Sequence, residues 1–258
     1  MKNRIPTLSR SLIICGCIGC AAVIYSQGPL TPPGPPSPTM KTLLEVEPRT
    51  QIAALPFTIN TPGSFYLAES LTGVSGQNGI TVNARDVTLD LNGFSLVGVA
   101  GSLNGLVVPS RQHNIVVANG SFRDWDLSGL NMTNALNSRI TEVRCFGNGA
   151  IGLNVGPGSL VSDCLAVSNQ LSGFELGENI NLDHCMALGN GAHGFRFDHY
   201  NAFTHCRASD NAQNGFNGLN GNTFHHCLSK GNQNGFELEN ANTLKDCSAV
   251  ANLASGIF

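Results

Sequence analysis

The sequence predicts an all-β solenoid of about eight to nine coils, each made of short strands stacked in parallel on the next. Three observations carry this expectation. A glycine opening a Gly-apolar-x-apolar unit recurs at Gly79, Gly105, Gly129, Gly152, Gly173, Gly194, Gly215, Gly235 and Gly256. The intervals are 26, 24, 23, 21, 21, 21, 20 and 21 residues, a period that marks stacked repeats. The stretches "NLDHCMALGNGAHGF" (181–195), "FTHCRASDNAQNGF" (203–216) and "FHHCLSKGNQNGF" (224–236) repeat a His-Cys pair, an asparagine five residues after the cysteine, and a Gly-Phe. Finally, 30 glycines and 28 asparagines with only 12% charged residues favour turns and short strands, because Gly and Asn tolerate the backbone angles that tight turns require. Leucine-rich repeats share the length but need a leucine-asparagine consensus that is absent, and helical repeats need longer units.

Taken in order, residues 1–27 read as a secretory signal peptide: a basic start, an apolar stretch from Leu12 to Ile24, and the small residue Ser26. Cys17 and Cys20 each follow a glycine, a partial lipoprotein-type signal. Residues 28–39 hold six of the twelve prolines and form a stiff spacer. Residues 40–78 are expected to cap the solenoid with its first strands, and 79–258 to form the coils. Without Lys2, Arg4 and Arg10 of the leader, 11 basic residues face 17 acidic ones, a net charge of −6. That balance excludes nucleic acid as a partner, since neutralising phosphates needs a basic surface.

One coil, "GFELGENINLDHCMALGN" (173–190), shows the design. Phe174 and Leu176 flank Glu175 with the two-residue period of a half-buried strand. Leu182 and Cys185 are three apart, so both face inward only if the chain bends between them. Stacking then places like on like: Phe174–Phe195–Phe216–Phe236, Leu182–Phe203–Phe224–Leu244, Cys164–Cys185–Cys206–Cys227–Cys247 and Ala166–Ala187–Ala208–Ser229–Ala249. Asn148, Asn169, Asn190, Asn211, Asn232 and Asn252 form a turn column whose amides can bond up the stack. With these columns and the upstream "VTLDLNGFSLVG" (87–98), the sequence resembles the right-handed parallel β-helix family of pectin-lyase-like proteins over about residues 55–258. The resemblance implies the fold. It does not choose an activity, because that family includes lyases, hydrolases, epimerases and non-catalytic adhesins.

The six cysteines after the leader admit disulfides in an exported protein. Stacked residues, however, present parallel Cβ vectors about 4.8 Å apart, beyond the usual ~3.8 Å of a bridge. Counting back five from Asn148 puts Val143, not Cys145, at the ladder position. The site therefore wants a compact apolar filler, and the thiols are expected to be buried and reduced. The residues just before the ladder cysteines are Asp163, His184, His205, His226 and Asp246. His184, His205 and His226 are candidate ligands for a divalent metal such as zinc or copper, set against a plain solvated polar column. No other cofactor is expected.

The outward positions of the Gly-Phe strand run Thr81, Val107, Asn131, Asn154, Glu175, Arg196, Asn217 and Glu237. Glu175, Arg196 and Glu237, with Asp198 and His199 beside them, are the candidate acid, base and cation set for a lyase or epimerase. The alternative is that they are solubility devices on a strand face. Coils near 21 residues leave no room for long loops to wall a cleft. The Asp pair with Gly-His and Arg-x-Lys of polygalacturonase-like hydrolases is absent, as is the Asp cluster of calcium-dependent pectate lyases. The resulting expectation is an exported, non-catalytic β-helix, secreted, periplasmic or at the cell surface, with polysaccharide as its partner. A lyase or epimerase acting on the strand face is the runner-up. The chain stops at "ASGIF" with a coil just begun, which predicts continuation or self-association at an uncovered end.

Overall fold

The computed structural model describes residues 47–257. The leader, the proline-rich spacer, residues 40–46 of the expected cap and Phe258 lie outside them. The described residues form a parallel β-solenoid. Every regular element from Thr50 to Val250 is a strand, and the strands fall into a nine-stranded sheet, a 17-stranded sheet and a two-stranded patch. Each coil of the regular part enters the nine-stranded sheet once and the 17-stranded sheet twice. Phe174–Leu176, Asn181–Asp183 and Met186–Leu188 make one coil, and Phe195–Phe197, Ala202–Thr204 and Arg207–Ser209 make the next. Their register is Phe174↔Phe195, Leu182↔Phe203 and Ala187↔Ala208. Those are the columns expected from the sequence.

The bends between strands have a common device. Each is a single residue in the left-handed region: Asn179 (φ 58°), His184 (φ 50°) and Gly189 (φ 60°) in one coil, Tyr200, His205 and Asp210 in the next. One left-handed residue turns the chain and resets which side faces in, so Leu182 and Cys185 are both buried although three apart. After each bend comes an inward column.

The asparagine column follows the third bend. Its amides bond coil to coil: Asn148 Nδ2 to Asn169 Oδ1 at 2.8 Å, then 3.0, 2.9, 2.9 and 3.4 Å up to Asn252. Each Oδ1 also accepts the backbone N–H of the preceding asparagine, as Asn211 Oδ1 does from Asn190 at 3.0 Å. Buried polar groups are thereby satisfied within the column. A second ladder at the first bend, Asn201–Asn222–Asn242, shares the N–H to Oδ1 bonds, 2.8 Å each, but links amides only from Asn222 to Asn242 and leaves the buried Asn201 Nδ2 without a partner. It is not among the columns read from the sequence, because Ile180 and Ser159 occupy the same place in earlier coils and hide the repeat.

The aromatic column stacks face to face, with Phe195 and Phe216 centroids 4.9 Å apart at 6° and Phe216 and Phe236 4.7 Å apart at 4°. Phe203 and Phe224 stack beside it at 4.8 Å and meet it edge-on. The six cysteines among the described residues are free thiols, five of them buried, and Cys145 pairs with Ala166. Glu142 (φ 54°) takes the bend ahead of Val143 as Asp163 does ahead of Cys164, so valine and cysteine share one column. Burial pushes the Cys145, Cys164 and Cys206 thiols well above their ordinary value and keeps them protonated.

Candidate functional site

The outer face of the nine-stranded sheet brings Asn131, Asn154, Glu175, Arg196, Asn217 and Glu237 into one line, one per coil. They face out because their neighbours face in: Phe195 and Phe197 are buried on either side of Arg196. Arg196 Nη1 lies 3.4 Å from Glu175 Oε1, with the guanidinium mostly exposed. Glu175 Oε1 is also 3.4 Å from Ser172 Oγ. Glu237 Oε2 accepts bonds from Asn214 Nδ2 at 2.6 Å and Asn234 Nδ2 at 3.0 Å. Each carboxylate is therefore held in place by amides, a hydroxyl or a cation.

A shallow groove of about 330 Å³ is lined by Arg196, Asp198, Asn217, Glu237 and Glu239. A second depression, lined by Asn154, Pro157 and Glu175, shares Arg196 and Asp198 with it. The two make one open trough along the strand face with Arg196 at its middle. Of the five residues singled out in the sequence, Glu175, Arg196, Asp198 and Glu237 come together here. His199 does not. It stands past the strand end, where its Nδ1 accepts the Asn220 N–H at 3.3 Å and starts a corner ladder.

His193 was not foreseen. It sits one position before Gly194 in the column His193–Asn214–Asn234, and its Nδ1 accepts the Asn214 N–H at 3.4 Å. Burial, then the nearby Arg196 charge, holds its pKa below the ordinary histidine value, with Glu237 opposing. The signal lay in "AHGF" against "QNGF": a titratable ring replaces an amide where the repeat otherwise carries asparagine.

The corner histidines form a separate feature on the 17-stranded sheet. His184, His205 and His226 all take the left-handed bend and stack along the axis, 4.6 Å between the first two rings and 5.3 Å between the last two. The structure distributes them over two groups. Asp183, His184 and His205 form one, and His225, His226 and Asp246 the other, with the ligand atoms of each within 4.8 Å of one another. Asp183 and His225 carry no repeat signature, so nothing in the sequence marked them.

Solved structures share this architecture. The chain aligns with the enzymatically active domain of bacteriophage CBA120 tailspike protein 2 at a TM-score of 0.62 and 10% identity, over 81% of this chain and 38% of that one. It aligns with a periplasmic alginate epimerase, AlgG, at 0.52 and 13%, over 76% and 51%. With pectate lyase Pel9A the values are 0.51 and 17%, over 76% and 69%. The fold is a parallel β-helix, shared with these proteins. The chain spans about two fifths of the tailspike domain and half of the epimerase. No protein-family model and no curated protein matches the sequence. Within this β-helix the trough lies on the nine-stranded sheet and the histidine corner on the 17-stranded one.

Proposed function

We propose that the protein is exported and binds a polysaccharide laid along the nine-stranded face without turning it over. The observation that supports this is the trough itself: an open line of Asn154, Glu175, Arg196, Asn217 and Glu237, one polar side chain per coil. Successive coils repeat at roughly 4.8 Å, so the face offers hydrogen-bonding groups at the spacing of a sugar chain's own repeat. Both carboxylates are engaged in hydrogen bonds that fix them as acceptors, the role a binding face asks of them. The likeness to an alginate epimerase and a pectate lyase supports a carbohydrate as the ligand.

A second reading, an alginate- or pectate-type lyase or epimerase, draws on Arg196 standing beside Glu175, with His193 close to its charge. A cation over a uronate carboxylate and a nearby base would serve proton abstraction. One experiment separates the two. A panel of uronate and neutral polysaccharides is run in affinity electrophoresis and, in parallel, incubated with the protein. Binding without change in the polymer, weakened about tenfold or more in Arg196→Ala, is the expected result. Absorbance of unsaturated uronate, or an altered uronate composition by NMR, overturns the binding-only reading. If no polysaccharide is either retained or changed, both readings are overturned.

A further inference from the structure

We propose that the histidine corner is a pair of zinc-class metal sites, each joining two successive coils. The first is Asp183, His184 and His205. Asp183 Oδ1 lies 3.0 Å from His184 Nδ1 and 3.5 Å from His205 Nδ1. Around a tetrahedral ion with bonds of about 2.0–2.1 Å, neighbouring ligand atoms stand about 3.3 Å apart. The observed separations straddle that edge, so an ion enters with small rotations of exposed side chains. The imidazole planes lie 23° from parallel at a centroid distance of 4.6 Å, and both Nδ1 atoms face the same Asp183 oxygen.

The second site is His225, His226 and Asp246. His225 Nε2 is 3.8 Å from Asp246 Oδ2, and the His225 and His226 rings meet edge to face at 4.0 Å. Each set supplies two imidazoles and one carboxylate and leaves a position open to water. Nitrogen ligands select zinc or its transition-metal neighbours over calcium or magnesium, which take oxygen.

The local backbone explains why histidine can stand there. The bend needs φ near +50°, which costs most side chains free energy, and Asn, Asp and His accept it more readily than others. In other coils this corner carries Glu142, Asp163 and Asp246, and other bends carry Asn179, Gly189, Tyr200 and Ala241. Three successive coils instead place His184, His205 and His226 at this corner, with Asp183 and His225 one residue earlier on the adjoining strands. In both sites the ligands come from neighbouring coils, Asp183 and His184 with His205, and His225 and His226 with Asp246. A bound ion is therefore a staple across the stack, and it adds stability by binding only the folded arrangement. This inference is independent of any glycan on the opposite sheet.

The test is equilibrium dialysis of the purified protein against zinc chloride, with melting curves at each loading and a parallel cobalt(II) spectrum. Two ions per chain, and a melting temperature that rises with zinc, are expected. His205→Asn and Asp246→Asn, which keep residues able to hold the left-handed bend, should each retain one ion, and the double variant none. Cobalt should show tetrahedral ligand-field bands without a thiolate charge-transfer band. No retained ion overturns the proposal. So does one ion abolished by either variant, which would mean a single shared site, or a thiolate band, which would move the metal to the cysteine column.

Discussion

From Thr50 to Phe146 the coils are long and uneven and their interior is mainly aliphatic, with Leu67, Leu89, Leu91 and Leu96 buried along with the large rings of Phe122 and Trp125. From Leu153 onward the coils settle to 20 or 21 residues and the interior becomes columns of identical side chains. The first region packs by fitting unlike shapes. Trp125 Nε1 bonds Leu96 O at 3.1 Å, and a Cβ on Gly73 or Gly79 would stand 2.6 or 2.7 Å from the indole ring. The second region packs by repetition, and its asparagine ladder starts only at Asn148. One cross-section is filled in two ways, and their sensitivities should differ.

The largest effect should come from the ladder. Asn211→Leu removes the acceptor of the Asn190 N–H and Nδ2 and the donor to Ala187 O and Asn232 Oδ1, all buried. A buried unsatisfied group costs about 1–3 kcal/mol, so roughly 3–5 kcal/mol is expected in denaturant unfolding. Coils of a solenoid touch only their neighbours, so hydrogen exchange should accelerate from about residue 170 to the end while residues 50–146 stay protected. Equal loss of protection in both regions would mean that the two packing modes do not differ in sensitivity.

Trp125→Phe and Phe195→Leu probe the two packing modes next. Trp125→Phe opens a cavity and leaves Leu96 O without its donor, about 3 kcal/mol. Phe195→Leu should cost about 1–2 kcal/mol, since Leu153 already precedes Phe174 in that column. Reversal of that order in thermal melts would show that the repeated column is the tighter fit.

Cys185→Val should cost about 1 kcal/mol, because Val143 already fills a place in the same column. In the chain without residues 1–27, thiol titration of the native protein should label Cys247 first and spare the five buried cysteines, with six thiols found in denaturant without reductant. Two or fewer would mean disulfides staple the stack.

The smallest effect is electrostatic. The folded state holds the His193 pKa below its ordinary value, through burial first and Arg196 second. The unfolded chain then binds the proton at higher pH than the folded one. The stability His193 contributes is full above about pH 6.5 and is lost as pH falls through the lowered folded value. His193→Asn matches Asn214 and Asn234 in its column and should flatten the melting temperature across that window. An unchanged acid slope would assign it to other groups.

By itself the sequence determined the solenoid, its coil number, and the phenylalanine, cysteine, alanine and asparagine columns. Like-on-like stacking writes each contact as the same residue at a fixed spacing, so a periodic core is legible without coordinates. The outward line from Asn131 to Glu237 was legible for the same reason. The tertiary structure alone decided what does not repeat. Trp125 occurs once, and only the fold shows that it lies against Gly73 and Gly79. His193 feels the charges of Arg196 and Glu237 although it precedes their strand, whereas His199, just past the strand Phe195–Phe197, bonds the Asn220 N–H at the next corner. Asp183 meets two imidazoles because His184 and His205 are both turned outward at their bends, and the distance across a corner depends on side-chain directions that no residue spacing encodes.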